Sequence, residues 1–376
     1  MNKKERIMCV MRLGTPDQVP VSAGISEMVP VRVSGKTYLD VFHYDPVPIW
    51  KLRIDAERRF DTDAILHVIP ELLPEYQDME KVIIEESEEK VVWKEIWNTP
   101  EGSLEKLIQV THPHGLAVLE PLVKTPADLK KAALLFFPPE NYNFDEYLKA
   151  YEYLGNDGSI APYFNTPADH ISDLLGGPQN FIMAHFDDHE ALRRYADAYT
   201  EFCKSLLEEF IRRKIPMDVI QLGGASLSHS VTSPEFFDAY AADFLRTMIG
   251  LESRHPDAMV VQLHTCGKSR QVLTQAAELG LRAFEPIEEA PLGDVDLAEV
   301  KKTYGDRIAL KGNINSIDIM LHGTPEQVRR ETRKKLEIGM PGGGFFLAVG
   351  DQSPYYTPDE NIHALVETVH EFGVYK

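Results

Sequence analysis

The sequence predicts an α/β fold, a single (β/α)₈ TIM barrel with an antiparallel β meander inserted after the second strand. Three observations carry this expectation. Eight short apolar runs rich in β-branched residues recur along the chain, stretches with helical spacing and charged faces separate them, and no Gly-x-Gly-x-x-Gly turn or phosphate loop follows any run. Strands alternating with crossover helices build a parallel sheet, and eight of them close most simply into a barrel. The competitor, an open doubly wound sheet, would be expected to carry the missing nucleotide fingerprint.

The expected strands, in chain order, are Val19–Ala23, Ala64–Val68, Ser159–Phe164, Asp218–Gly223, Ala258–His264, Arg282–Ile287, Arg307–Gly312 and Gly344–Val349. Helices are expected over Pro46–Phe60, Glu190–Arg213, Pro234–Ser253, Lys268–Leu279, Asp294–Tyr304, Pro325–Ile338 and Pro358–Glu371. Three of them open on a hydroxyl residue followed by proline, at Ser233-Pro234, Thr324-Pro325 and Thr357-Pro358. There the side-chain oxygen can accept an orphan N–H and the proline presets φ. The alternation breaks once, where Val82–Glu86, Lys90–Trp97 and Leu104–Val110 read as β runs, the last two joined by the turn Thr99-Pro100-Glu101-Gly102. Such an insert either roofs a substrate cavity or decorates an edge. No linker, repeat or low-complexity stretch divides the chain, so residues 1–376 are expected to form one domain with an insert at 76–118.

Composition narrows the function. The 376 residues carry 39 Lys+Arg against 59 Asp+Glu, a formal charge of −20 without an acidic tail, which repels polyanions and argues against nucleic acid as a partner. No run approaches the ~20 apolar residues of a membrane helix. Cys9, Cys203 and Cys266 are far apart and odd in number, and no secretory leader precedes them, so a reduced, cytoplasmic protein is expected.

In a barrel, chemistry sits where the strand C-termini converge. The residues expected on that rim are Glu27, His67, Asn165, Gln221, Gly223, Gly224, His264, Cys266, Glu285, Glu288, Asn313, Asn315 and Asp351. The sharpest signal is Leu263-His264-Thr265-Cys266-Gly267, an apolar strand ending in His-x-Cys before a helix. Residues i and i+2 share a face of an extended chain, so imidazole and thiol can reach one metal ion. The alternative is a hydrogen-bonded histidine beside a small buried thiol. A catalytic zinc takes three protein ligands, and neither other cysteine sits on the rim. The third donor is therefore sought in Asp351, after the last strand, or in Glu285 or Glu288, with Asp351 preferred because Gly350 frees the backbone before it. Gln221, Asn313, Glu27 and Glu285 are candidates for orienting a polar substrate, with turn-forming as the alternative at Asn313-Ile314-Asn315. Gly223-Gly224 either admits a flat ligand or serves tight packing. His112, His114, His170, His185, His189 and His229 show no metal spacing and read as surface or loop histidines.

These residues bear a resemblance. The chain resembles the uroporphyrinogen decarboxylase superfamily, and within it the corrinoid-dependent methyltransferase branch, over nearly its whole length. The landmarks are Gly14-Thr15-Pro16-Asp17-Gln18-Val19-Pro20-Val21, Ser233-Pro234-Glu235, His264-Thr265-Cys266-Gly267, Gly312-Asn313-Ile314-Asn315, Gly323-Thr324-Pro325-Glu326-Gln327-Val328 and Thr357-Pro358-Asp359-Glu360-Asn361-Ile362. The resemblance implies a (β/α)₈ barrel, zinc held through His264 and Cys266, and a corrinoid (cobalamin) supplied by a partner protein; such proteins commonly dimerise, which makes a homodimer one option and leaves oligomeric state open. Two departures shape the reading. The arginine motif with which the decarboxylases grip carboxylates is replaced by Ser22-Ala23-Gly24-Ile25-Ser26-Glu27, and Asp351 stands near the place of the second zinc cysteine. A carboxylate leaves zinc a harder Lewis acid than a thiolate does, which suits an oxygen-bearing substrate and O-demethylation. The expected function is therefore a zinc-dependent methyltransferase acting between a methoxylated compound or thiol and a corrinoid protein. The alternatives are a metal-free decarboxylase and a non-catalytic barrel that binds a ligand or the corrinoid protein.

Overall fold

Eight parallel strands form the main sheet of the computed structural model, which describes residues 1–255 and 259–376. They are Val21–Ser22, Ala64–Val68, Gly158–Asn165, Val219–Gly223, Val260–His264, Ala283–Glu285, Ala309–Ile314 and Phe345–Val349, the first to eighth barrel strands. Each expected strand is present, with its ends moved by a residue or two. Ala258, where the fifth was expected to begin, lies outside the described residues.

Hydrogen bonding runs first, eighth, seventh, sixth, fifth, fourth, third, second, so the sheet curls into a barrel whose one unladdered junction lies between the first and second strands among the described residues. Side chains close that seam. At its lower end Asp63 and Val21 exchange two hydrogen bonds, the Asp63 N–H to the Val21 carbonyl at 2.7 Å and the Val21 N–H to the Asp63 carboxylate at 2.9 Å. Arg6 donates to the same carboxylate at 3.0 Å. At its upper end Arg53, on the helix Ile49–Phe60, donates to the carbonyls of Ile25 at 3.3 Å and Ile65 at 3.4 Å. Asp63→Ala orphans the buried Val21 N–H and removes an ion pair, and is expected to lower unfolding free energy by about 2–4 kcal/mol in urea melts. A loss under about 0.5 kcal/mol, the size of an ordinary surface change, would show that the seam is held elsewhere.

The strands explain why the barrel has a dry floor and a wet mouth. Ile65, Ala161, Val219, Val260, Ala283, Ala309 and Phe346, one from each of the second to eighth strands, pack into one apolar layer. The helix Lys3–Met11 seals it from below with Ile7, Met8, Val10 and Met11. Side chains repeat their facing every second residue. Two positions on, the inward residues are His67, Tyr163, Gln221, Gln262, Glu285, Lys311 and Ala348, so a polar layer rests directly on the apolar one.

The helices follow the expected spacing with instructive exceptions. Thr324 caps Pro325–Gly339 in a reciprocal capping box with Gln327. Ser233 instead gives its hydroxyl to Glu235, and the Thr357 hydroxyl is buried without a partner. The helix expected over Pro234–Ser253 breaks at Ala241 into Pro234–Tyr240 and Ala242–Arg254. Nothing in the local residue types signals this; the break adjoins Tyr240, whose hydroxyl contacts His185 at 2.7 Å and His189 at 3.0 Å. The inserted meander lies between the second and third strands and has four strands, Met79–Glu86, Lys90–Trp97, Leu104–Thr111 and Gly115–Glu120. The fourth is additional to the sequence expectation. Val91, Trp93, Ile108 and Val110 pack against Val31, Tyr38, Leu39 and Leu52 beside the barrel. No described helix is long and apolar enough to cross a membrane.

Candidate active site

The polar layer floors a cavity of about 240 Å³ at the C-terminal mouth, lined among others by Ser22, Arg53, Glu57, His67, Tyr163, Gln221, His264, Glu285, Lys311 and Asp351. Its electrostatics centre on Glu285. This buried carboxylate pairs with Lys311 Nζ through Oε2 and with His264 Nδ1 through Oε1 at 3.4 Å. Burial alone would push it up, yet the Lys311 ammonium and the hydrogen-bonded His264 hold it well below the usual carboxylate range. In turn, against the desolvation that would favour the neutral ring, hydrogen bonds with Cys266 and Glu285 hold the His264 imidazole well above its ordinary value.

His264 and Cys266 therefore meet, as the His-x-Cys spacing anticipates. Glu285, expected as a substrate contact or a metal donor, has both oxygens engaged by protein and acts as the brace of His264. Glu288 accepts the Gly267 N–H, and burial together with the facing Asp351 carboxylate pushes it up. Asp351 is exposed at the cavity rim. Imidazole and thiol suit zinc, and a carboxylate on the second imidazole nitrogen is the usual support of a ligating histidine. Among the described residues, no three His, Cys, Asp or Glu side chains converge at ligand spacing, so the third donor expected in Asp351 is not assembled with the pair.

Other expected residues fall elsewhere. Gln221 is fully buried in the cavity wall with both amide atoms unpartnered, and its neighbour Gln262 is in the same state. Asn313, also buried and unpartnered, faces a separate pocket of about 220 Å³ with Glu288 and Asn315. Asn315 caps the following turn by accepting the Ile317 and Asp318 N–H groups. Glu27 does not line the cavity; burial pushes its carboxyl up, opposed by Arg53. Gly223 serves packing, since a Cβ there would lie 2.2 Å from the Tyr163 hydroxyl and 2.6 Å from Asn165 Oδ1. His170, expected at the surface, stacks 4.2 Å from Tyr199 in an aromatic chamber outside the barrel. Cys9 and Cys203 sit on helices, as expected, and burial pushes both thiols up.

Residues of the polar layer and the cavity wall escaped the sequence reading, Tyr163, Gln262, Lys311, Arg53 and Glu57 among them. Tyr163, Gln262 and Lys311 carry a signal in retrospect: each interrupts an apolar strand at the same depth, two residues beyond the layer that seals the floor. Arg53 carries none, because its helix reads as an ordinary amphipathic one. It enters the cavity wall without a carboxylate partner at ion-pair distance among the described residues.

The model of the uroporphyrinogen decarboxylase (URO-D) family matches residues 111–372. The chain belongs to the uroporphyrinogen decarboxylase family. Two curated relatives of this family member are methyltransferases by name. The methylcobamide:CoM methyltransferase MtaA of Methanosarcina barkeri is 30% identical over 221 residues, 59% of this chain and 60% of the relative. The methylated-thiol–coenzyme M methyltransferase of Methanosarcina mazei is 26% identical over 212 residues, 56% of this chain and 53% of the relative. The matches thus span less than two thirds of these relatives. A solved methyltransferase from Methanosarcina mazei shares the barrel over 99% of both chains, with a TM-score of 0.69 at 22% identity.

Proposed function

We propose that this chain is a zinc-dependent methyltransferase that moves a methyl group between a small substrate, a methoxylated compound or a thiol, and a corrinoid carried by a partner protein. The observation that carries the reading is His264 in the wall of a polar cavity of small-molecule size, with the Cys266 thiol within hydrogen-bonding reach of its ring. Family membership and the names of the two curated relatives support it.

His264 and Cys266 would hold zinc, with a third donor still to be brought in and Asp351 the rim carboxylate not already bonded to protein; zinc there would supply Lewis acidity toward the heteroatom that releases or accepts the methyl group. The chain's own residues position the rest. Lys311 fixes Glu285, and Glu285 fixes Nδ1 of His264. The amide of Gln221, in the cavity wall, has no protein partner, so a polar substrate can take its hydrogen bonds without displacing any. The apolar floor beneath excludes water from below.

Purified protein is expected to hold about one zinc per chain. It is also expected to change the cobalamin spectrum, demethylating methylcobalamin with a thiol or methylating reduced cobalamin from a methoxylated compound. Protein with neither stoichiometric metal nor either spectral change would defeat the reading. Arg53 and Lys311, two cations facing one cavity, favour a second reading, a decarboxylase acting on a carboxylated ligand. Carbon dioxide release from a porphyrinogen separates the two, and the methyltransferase reading expects none.

A further inference from the structure

Outside the barrel wall lies a second chamber, of about 410 Å³, whose lining includes Trp97 from the meander, Phe136, His170, Tyr195, Tyr199 and Phe202. Its chemistry is unlike that of the mouth. No Asp, Glu, Lys or Arg lines it, in a chain with a formal charge of −20. Rings form most of its wall: Phe136 stacks on Phe202 at 5.0 Å and 10°, and His170 on Tyr199 at 4.2 Å and 15°. Burial pushes the His170 imidazole down to about 4, so the ring is uncharged at neutral pH.

Cores of folded proteins are packed to the density of organic crystals, and an apolar void costs stability in proportion to its volume. The amount of open space between these rings is that of a small-molecule pocket, whereas packing voids are seldom larger than a water molecule. The surroundings reject charge, because nothing in the wall could pair with it and desolvation would go uncompensated. Flat faces on several sides, with imidazole and phenol edges between them, suit a flat ring in offset or edge contact.

We infer that this chamber is a binding site for an uncharged aromatic small molecule. The site is separate from the polar mouth, although Tyr163 belongs to the walls of both. Its occupation does not depend on the methyl-transfer reading, and binding can be read without turnover.

The test is titration of the whole protein with methoxynaphthalene, followed by calorimetry and by the fluorescence of Trp97, with naphthoate as the charged counterpart. Saturable binding is expected for the neutral probe and at least tenfold weaker binding for the carboxylate. Ala132→Phe places a ring in the void from a fully buried position of the wall and is expected to weaken the neutral probe at least tenfold. Leu135→Trp, from a half-buried position of the same wall, gives the same readout should the first variant fail to fold. The inference is overturned by no saturable binding, by equal affinity for the carboxylate, or by folded filling variants that bind as the parent does.

Discussion

Cys266→Ala is expected to lose bound zinc and to slow methyl transfer roughly a thousandfold, since a metal acting as Lewis acid contributes several kcal/mol to its transition state and each 1.4 kcal/mol is about tenfold. The fold should persist. Cys266 lies past the end of the fifth strand and is only partly buried, so alanine leaves no sealed cavity and the melting temperature should move little. His264→Ala should match it in activity but cost more stability, because it strips Glu285 of one partner. Metal analysis, cobalamin spectroscopy and a thermal melt on the same preparations check all three statements. A Cys266 variant that keeps both zinc and methyl transfer would remove the thiol from the mechanism.

Lys311→Met is expected to destabilise the protein by about 3–5 kcal/mol near neutral pH, the cost of leaving one member of a buried ion pair without its partner. The sign of its pH dependence follows from Glu285. In the parent the carboxyl is held well below its unfolded value, so its ionised form contributes stability that is complete above about pH 4.5, the ordinary glutamate range, and is lost only as pH falls through the lower folded value. Without Lys311, desolvation is left to push the carboxyl upward. The gap between parent and variant should then be widest near pH 7 and narrow below about pH 5, as the variant's Glu285 takes up a proton. Denaturant midpoints at the two pH values measure it. A gap that is flat or widens toward acid would show that Lys311 does not neutralise Glu285.

The same residue shows where a sequence stops being readable. Lys311 stands in an apolar run before Gly312-Asn313, and in one strand it looks like a snorkelling surface lysine. Its partner Glu285 comes from the neighbouring sixth strand and its indirect dependant His264 from the fifth, and only the pairing of these three strands brings the side chains together. His264 and Cys266 were legible because their contact is local: with one residue between them at the strand's exit, their side chains stay within reach of each other. Asp351 illustrates the opposite case. Its place after the eighth strand puts it on the rim, but where its side chain points depends on loops packed around it, and it stays apart from the pair it was expected to complete. His170 was misplaced for a related reason, since nothing near it in sequence announces that Phe136, Tyr195 and Tyr199 will surround it.

By itself the sequence determined the strands, their parallel alternation with helices and the rim on which a histidine and a cysteine meet, because strand periodicity, helix starts and i to i+2 facing are set within a few residues of chain. Tertiary structure alone decided which charges face one another, that Arg53 enters the mouth across the seam, and that aromatic rings from distant segments line one chamber. Those outcomes depend on contacts between residues tens to hundreds of positions apart, and the energy of burying a charge or a ring is fixed by what surrounds it in space.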